Sequence, residues 1–265
     1  MTDWFDGYHE LLSQQSEEAH TYEMASPNWL AGRTLLTSIE SLKQAIDYAG
    51  GHAGDHTTDG ERLQFLLARK SVHHLESCFV LIRNELYNPS RSQIRFLFEM
   101  YLLLRGLNRD KERSAEIYDD TVIQLRDMGS ESITGTRLAT VNPFSDIVGT
   151  ERDKIGALES DLLWLHTSNA AVHPYSIEGA ELDGEYNEDV EGNLLDMTNA
   201  FAFGIAAQLI KTWKGTPMYW KLFERLDPMI VRIKLSTAGL PPRLFDEDLD
   251  LWSPERIRTD CSSGS

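Results

Sequence analysis

Arg95 and Glu99 stand four residues apart in the stretch Arg91-Ser-Gln-Ile-Arg-Phe-Leu-Phe-Glu-Met-Tyr-Leu-Leu-Leu-Arg-Gly-Leu107, which is otherwise crowded with Phe, Leu, Met and Tyr. On a helix that spacing places both side chains on one face, and Arg91 extends the row. Ionised groups enter an apolar interior only when they are matched. The pair is therefore expected to be matched inside the fold, as an intrahelical ion pair that also bonds a neighbouring helix and is sealed there as a structural network. The competing reading is a pocket in which Arg95, helped by Arg91, receives an anion while Glu99 accepts a proton.

A second constellation follows some seventy residues later. His166, Asn169 and His173 are spaced by three and four, Ser168 lies beside them, and Glu159 sits one heptad before His166. One helix face can present all of them, and an imidazole there can move protons near neutral pH or ligate a metal. The plainer alternative is a polar helix end, stopped at Pro174. Together these give a hypothetical catalytic cluster of Arg95, Glu99, Ser168, Asn169 and His173, with Arg91 and His166 as ligand-binding groups. His52, Asp55, His56 and Asp59 also have metal-ligand chemistry, but they sit among Gly and Thr in an expected loop that does not preorganise them. A solvated loop is expected there, and no metal or cofactor is assigned. Cys78, among Leu75, Phe79 and Ile82, reads as a core thiol rather than a nucleophile. Walker loops, dinucleotide fingerprints, nucleophile elbows and zinc spacings are missing from the sequence.

Arg95-Phe-Leu-Phe-Glu99, followed by Ser168-Asn-Ala-Ala-Val-His173-Pro174, resembles a widespread prokaryotic family of helical proteins of unknown function over roughly Phe65 to Leu209. That resemblance implies a helical bundle and names no activity. Arg69-Lys-Ser-Val-His-His74 is more distantly similar to the HEPN helical domains, many of them metal-independent RNases of toxin and defence systems. It departs from their pattern in carrying Lys70 where they favour Asn, Asp or His. Arg69 and His74 would also stand about 140° apart on a regular helix.

The composition narrows the partners. Among 265 residues, 25 Lys+Arg face 42 Asp+Glu, a net charge of −17, and the basic residues divide into 8 Lys and 17 Arg. Acid-rich, Lys-poor surfaces resemble those of proteins adapted to high salt. The charge disfavours a duplex-nucleic-acid surface, which needs cations against phosphates. RNA belongs only to the RNase reading. Two cysteines suit a reducing cytoplasm. The N-terminus lacks a basic stretch followed by an apolar core, so no signal peptide is expected. The longest apolar run, about Met197 to Ile210, is too short to span a bilayer.

The elements that must position these groups are helices. An acidic amphipathic helix is expected over Asp3 to Met24, and a second from Ser26-Pro27 to Tyr48 with the stripe Leu35, Ile39, Leu42, Ile46, ended by Gly50-Gly51. A third runs from Asp59 to Leu86 with Phe65, Ala68, Val72, Leu75, Phe79, Ile82 and Leu86 at alternating threes and fours, the seam of a helix packed nearly parallel to a neighbour. Asn88-Pro89-Ser90 is the turn, Ser90 the expected N-cap, and the Arg95–Glu99 helix the antiparallel partner and central element. Lys111 to Met128 is helical. Gly129 to Gly149 reads as a loop or lid, and helix resumes at Thr150. Tyr175 to Gly192, with seven acids, reads as a solvated loop. A small-residue helix follows over Asn193 to Lys214, then shorter helices punctuated by Asp227-Pro228 and ending near Ser236.

The sequence thus predicts an all-α bundle of about seven or eight helices without a sheet: one domain over 1–240 and an acidic, irregular tail over 241–265. The expected function is a non-catalytic interaction or regulatory module with a small Arg/Glu/His polar cluster and an unidentified protein or small-molecule partner, with a homodimer left open and no membrane. A HEPN-like RNase is the alternative, and a metal-dependent hydrolase using the His52 and His166 groups the weaker one.

Overall fold

The computed structural model describes residues 27–52, 58–118, 144–155 and 186–236, together with Asp248. Among them the protein is an all-α bundle, with no strand. The helices are α1 (Pro27–His52), α2 (Asp59–Arg83), α3 (Tyr87–Arg109), α4 (111–118), α5 (Ser145–Ile155), α6 (Glu188–Thr212) and α7 (Pro217–Ser236). The expected helix over Asp3 to Met24 lies outside the described residues.

The apolar stripes do what their spacing requires. Leu35, Ile39, Leu42 and Ile46 of α1 are buried, as are Ala68, Val72, Leu75, Phe79 and Ile82 of α2. α2 begins with a capping box: Thr58 Oγ1 accepts from the Glu61 backbone N–H, and the Glu61 carboxylate accepts from that of Thr58. α2 and α3 form an antiparallel hairpin, tied from Cys78–Ser90 near the turn to His74–Gln93 further along.

The turn itself is Asn84-Glu85-Leu86 rather than Asn88-Pro89-Ser90. Leu86 N–H donates to Leu81 O and Glu85 N–H to Ile82 O, a Schellman closure that needs a left-handed residue, here Glu85 at φ 60°. α3 therefore starts at Tyr87, Pro89 sits in its first turn where an N–H is not needed, and Ser90 Oγ donates to Tyr87 O instead of capping.

Other expected boundaries also move. α1 passes through Gly50-Gly51 to His52, and a Cβ on Gly50 would stand 2.9 Å from the Phe65 ring, so helix packing rather than chain reversal uses that glycine. α5 starts at Ser145, inside the expected loop. The last acids of the expected solvated loop, Glu188, Asp189 and Glu191, form the first turn of α6 behind the N-cap Asn187, where the helix dipole favours negative charge. α7 runs unbroken through Pro228, whose lost bond would have gone to the carbonyl of Glu224; both residues face solvent, and water can take that place.

The central element is α6 rather than α3. Every residue from Thr198 to Ile210 is buried, and α1, α2, α3 and α7 all pack on it. Ala200, Ala202, Gly204, Ala206 and Ala207 let the neighbours approach on several sides. α3 is buried on one stripe in its first half and on all sides from Met100 to Leu107, where α5 covers its second face.

Candidate functional site

That change of burial along α3 decides where its charges sit. Ile94, Leu97, Phe98, Tyr101 and Leu104 form the inward stripe, so Arg95 and Glu99 fall on its outer flank. Arg95 Nε lies 3.2 Å from Glu99 Oε1, with 23% and 33% of the two side chains exposed, and Arg91 is half-buried. The ion pair is formed, and both side chains keep partial exposure. Among the described residues it is a partly solvated ion pair within one helix, because α3 is buried on all sides only from Met100 to Leu107. His166, Ser168, Asn169 and His173 lie outside the described residues, as does Glu159.

The remaining candidates are dispersed. Arg69 is exposed, whereas His74 is half-buried, its Nδ1 2.8 Å from Gln93 Oε1 and its ring stacked on Phe96 at 5.3 Å. His52 is spent on its own helix: Nδ1 lies 2.8 Å from Tyr48 O and the ring against Tyr48. Asp59 contacts Arg62 in the first turn of α2, while Asp55 and His56 lie outside the described residues. Among the described residues no group of three His, Cys, Asp or Glu could hold a metal ion. Cys78 is fully buried, and burial pushes its thiol far above the ordinary range, so it is no nucleophile at neutral pH.

The buried charge of α3 is Arg105, one turn past Tyr101, and it leads to Glu151 of α5. The Glu151 side chain is 3% exposed. Arg109 Nη1 donates to both its oxygens, at 2.9 and 2.7 Å; Lys154 Nζ donates at 2.7 Å; and Arg105 Nε stands 3.3 Å away in ionic contact. Gly106 makes this possible. A Cβ there would lie 2.3 Å from Ile147 Cγ2 and 3.2 Å from Glu151 Cγ, so only glycine lets α5 come this close. A cleft of about 250 Å³ opens beside Glu151, lined also by Leu107, Arg109, Asp110, Arg113 and Lys154.

Tyr101 extends the network inward. Its hydroxyl interacts with Arg105 and donates to Asp248 Oδ2 at 2.6 Å. Asp248, 1% exposed, also accepts from Gln208 Nε2 at 2.7 Å and from Lys211 Nζ. Asn108 closes the group by donating to Gln208 O and Oε1 at 2.9 and 3.0 Å. Burial first, and then the Asp248 carboxylate, raise the Tyr101 pKa well above the ordinary phenol value, which keeps the hydroxyl a donor.

No family model, curated protein or solved structure matches this chain.

The network has to be read from its chemistry. Two buried carboxylates, Glu151 and Asp248, each hold several donors brought from other elements, and Arg105 and Tyr101 link them along α3. This can fix four elements against one another, and it presents cations to the cleft. Sequence reasoning passed over Arg105, Arg109, Glu151, Tyr101 and Asp248. The available signal was the pair Arg105 and Arg109, four apart like Arg95 and Glu99 but without a partner carboxylate in their own helix.

Proposed function

We propose that the chain is a helical interaction or regulatory module and not an enzyme, with a protein or small molecule as its partner. The observation that supports this most is the saturation of two buried carboxylates among the described residues. Glu151 and Asp248 are 3% and 1% exposed and are already held by donors from other elements. A general acid or base must reach the substrate's proton directly or through one water. Carboxylates saturated in this way favour one arrangement of helices instead. The acidic total charge, −17, continues to disfavour duplex nucleic acid as the partner. Among the described residues no helix is long and apolar enough to cross a membrane.

A metal-independent RNase reading keeps one observation in its favour. Phe96 is 48% exposed and stacks on His74, with Arg95 adjacent in sequence, and exposed aromatic rings beside arginines can stack single-stranded bases. Incubating the full chain with end-labelled single-stranded RNA in EDTA separates the two. The module reading predicts no cleavage above buffer. Cleavage that disappears in His74→Ala, with the variant's melting temperature unchanged, contradicts it.

A further inference from the structure

α1, α3 and α6 pack on α2, and the side they leave open carries Arg62, Leu66, Arg69, Lys70 and His73, all exposed. Leu66, Lys70 and His74 form one row along α2 at steps of four, about 12 Å from end to end at the helical rise. At the far end the His74 ring stacks on Phe96 of α3. The row thus begins on a leucine that is 50% exposed and ends on a phenylalanine that is 48% exposed, with an ammonium group between them.

The carboxylates of α2 and α3 on this side are already committed. Asp59 pairs with Arg62, Glu61 closes the capping box with Thr58, Glu76 is held by Lys43 of α1 and by His73, and Glu99 pairs with Arg95. Arg69 and Lys70 have no hydrogen bond or ion pair among the described residues. On the open side of α2 and the adjoining flank of α3, Arg62, Arg69, Lys70, Arg91 and Arg95 stand against those four carboxylates, +5 − 4 = +1, while the rest of the chain carries −17 − 1 = −18. Arg83, Arg105 and Arg109, the other cations of the two helices, turn to Glu191 and Glu151 on other elements.

We infer that this row docks an acidic amphipathic helix of a partner protein. Two apolar residues of that helix, seven apart, sit on Leu66 and on Phe96, and a carboxylate between them pairs with Lys70 and Arg69. Two helical turns of the partner match the length of the row, which is the spacing by which an amphipathic helix lays its anchors on a neighbour. The carboxylate supplies what the two uncommitted cations lack, at the one stretch of α2 where no acid of the chain competes for them. A single-stranded nucleic acid fits less well. It brings a phosphate with every nucleotide to a surface with two uncommitted cations, in a chain of −17, and Leu66 offers no plane for a base to stack on.

The inference rests on the module reading and names its partner, but the two fail separately. RNA cleavage would overturn the module reading and leave peptide docking intact; absence of docking would do the reverse. The experiment is fluorescence anisotropy of the full chain with a labelled synthetic helix that carries leucines seven apart and glutamates between them. A scrambled peptide of the same composition and a labelled oligo-uridine are run beside it at fixed ionic strength. Saturable binding of the patterned peptide is expected, tighter than that of either control. Lys70→Glu should weaken it at least about tenfold, whereas Lys214→Gln, an exposed lysine in the α6–α7 connection, should leave it unchanged. Leu66→Ser should weaken it several-fold and supplies the same readout if Lys70→Glu does not fold. No saturable binding, equal affinity for the scrambled peptide, or undiminished affinity in both variants overturns the inference. Tighter binding of oligo-uridine overturns it in favour of a nucleic acid, and self-association of the parent chain that Lys70→Glu abolishes overturns it in favour of a second copy.

Discussion

Arg109 holds both oxygens of Glu151 with a single nitrogen, at 2.9 and 2.7 Å, across the junction of α3 and α5. The contact joins residues 42 positions apart and, together with Lys154 and Arg105, compensates a buried carboxylate. α3 is thereby fixed to α5, while Tyr101 and Asp248 fix it to α6.

Gly106 sets the distance at which that junction closes. Gly106→Ala should destabilise the chain by about 1–3 kcal/mol, because the new methyl meets Ile147 Cγ2 at 2.3 Å and α5 must move outward. Ile147→Ala removes the obstructing carbon, so the double variant should recover part of the loss relative to additivity. Urea unfolding of the four species measures the coupling. Strict additivity would show that the two residues are not in contact.

Tyr101 makes the network sensitive to alkali. Its folded pKa lies above its unfolded value, near 10 for a phenol. Its contribution to stability is therefore complete below pH 10 and is lost as the pH rises from there towards the folded pKa, at about 1.4 kcal/mol per pH unit. Tyr101→Phe should be less stable at pH 8, since Asp248 loses a donor, and should show a flatter fall above pH 10. Parallel stability curves for the two proteins above pH 10 would remove Tyr101 from the linkage.

How much of this was legible can be judged helix by helix. The stripes Leu35–Ile46 and Ala68–Ile82 could be read because apolar periodicity is local and each stripe buries one face. The hairpin of α2 and α3 followed from its short connection. Arg105 could not be distinguished from Arg95 because both stand in the same apolar run, and only α5 decides which part of α3 is covered on its second side. The start of α5, Ser145 to Gly149, was hidden by Gly149 and the turn-forming residues before it, which read as a continuing loop. Asp248 lies 147 residues from Tyr101 in the sequence, and no local pattern announces such a pairing. Glu191 misled for another reason. It belongs to an acid-rich stretch, yet Arg83 Nη1 at 2.9 Å and Asn28 Nδ2 at 3.1 Å bury it between α1, α2 and α6.

Glu85 carries a backbone cost that glycine would not. It occupies the left-handed position closing α2, where an L side chain is disfavoured by about 1 kcal/mol. Glu85→Gly should raise the stability of the full chain by up to about that amount, read as a higher urea midpoint at unchanged slope. A lower midpoint would mean that the Glu85 side chain contributes more than its conformation costs.

The two carboxylates of the α3 region offer the most direct comparison. Glu99 is 33% exposed in an intrahelical pair, which solvent screening limits to about 1 kcal/mol at most. Glu151 is 3% exposed and pairs with the buried Arg105, so its neutralisation breaks a buried ion pair at a cost of about 3 kcal/mol or more. The decisive measurement is urea unfolding of Glu151→Gln and Glu99→Gln beside the parent chain under identical conditions. A large loss for Glu151→Gln with a shift below about 1 kcal/mol for Glu99→Gln is the expected result. Equal losses, or a larger loss for Glu99→Gln, would contradict the assignment of Glu151 as the charge on which the polar network is built.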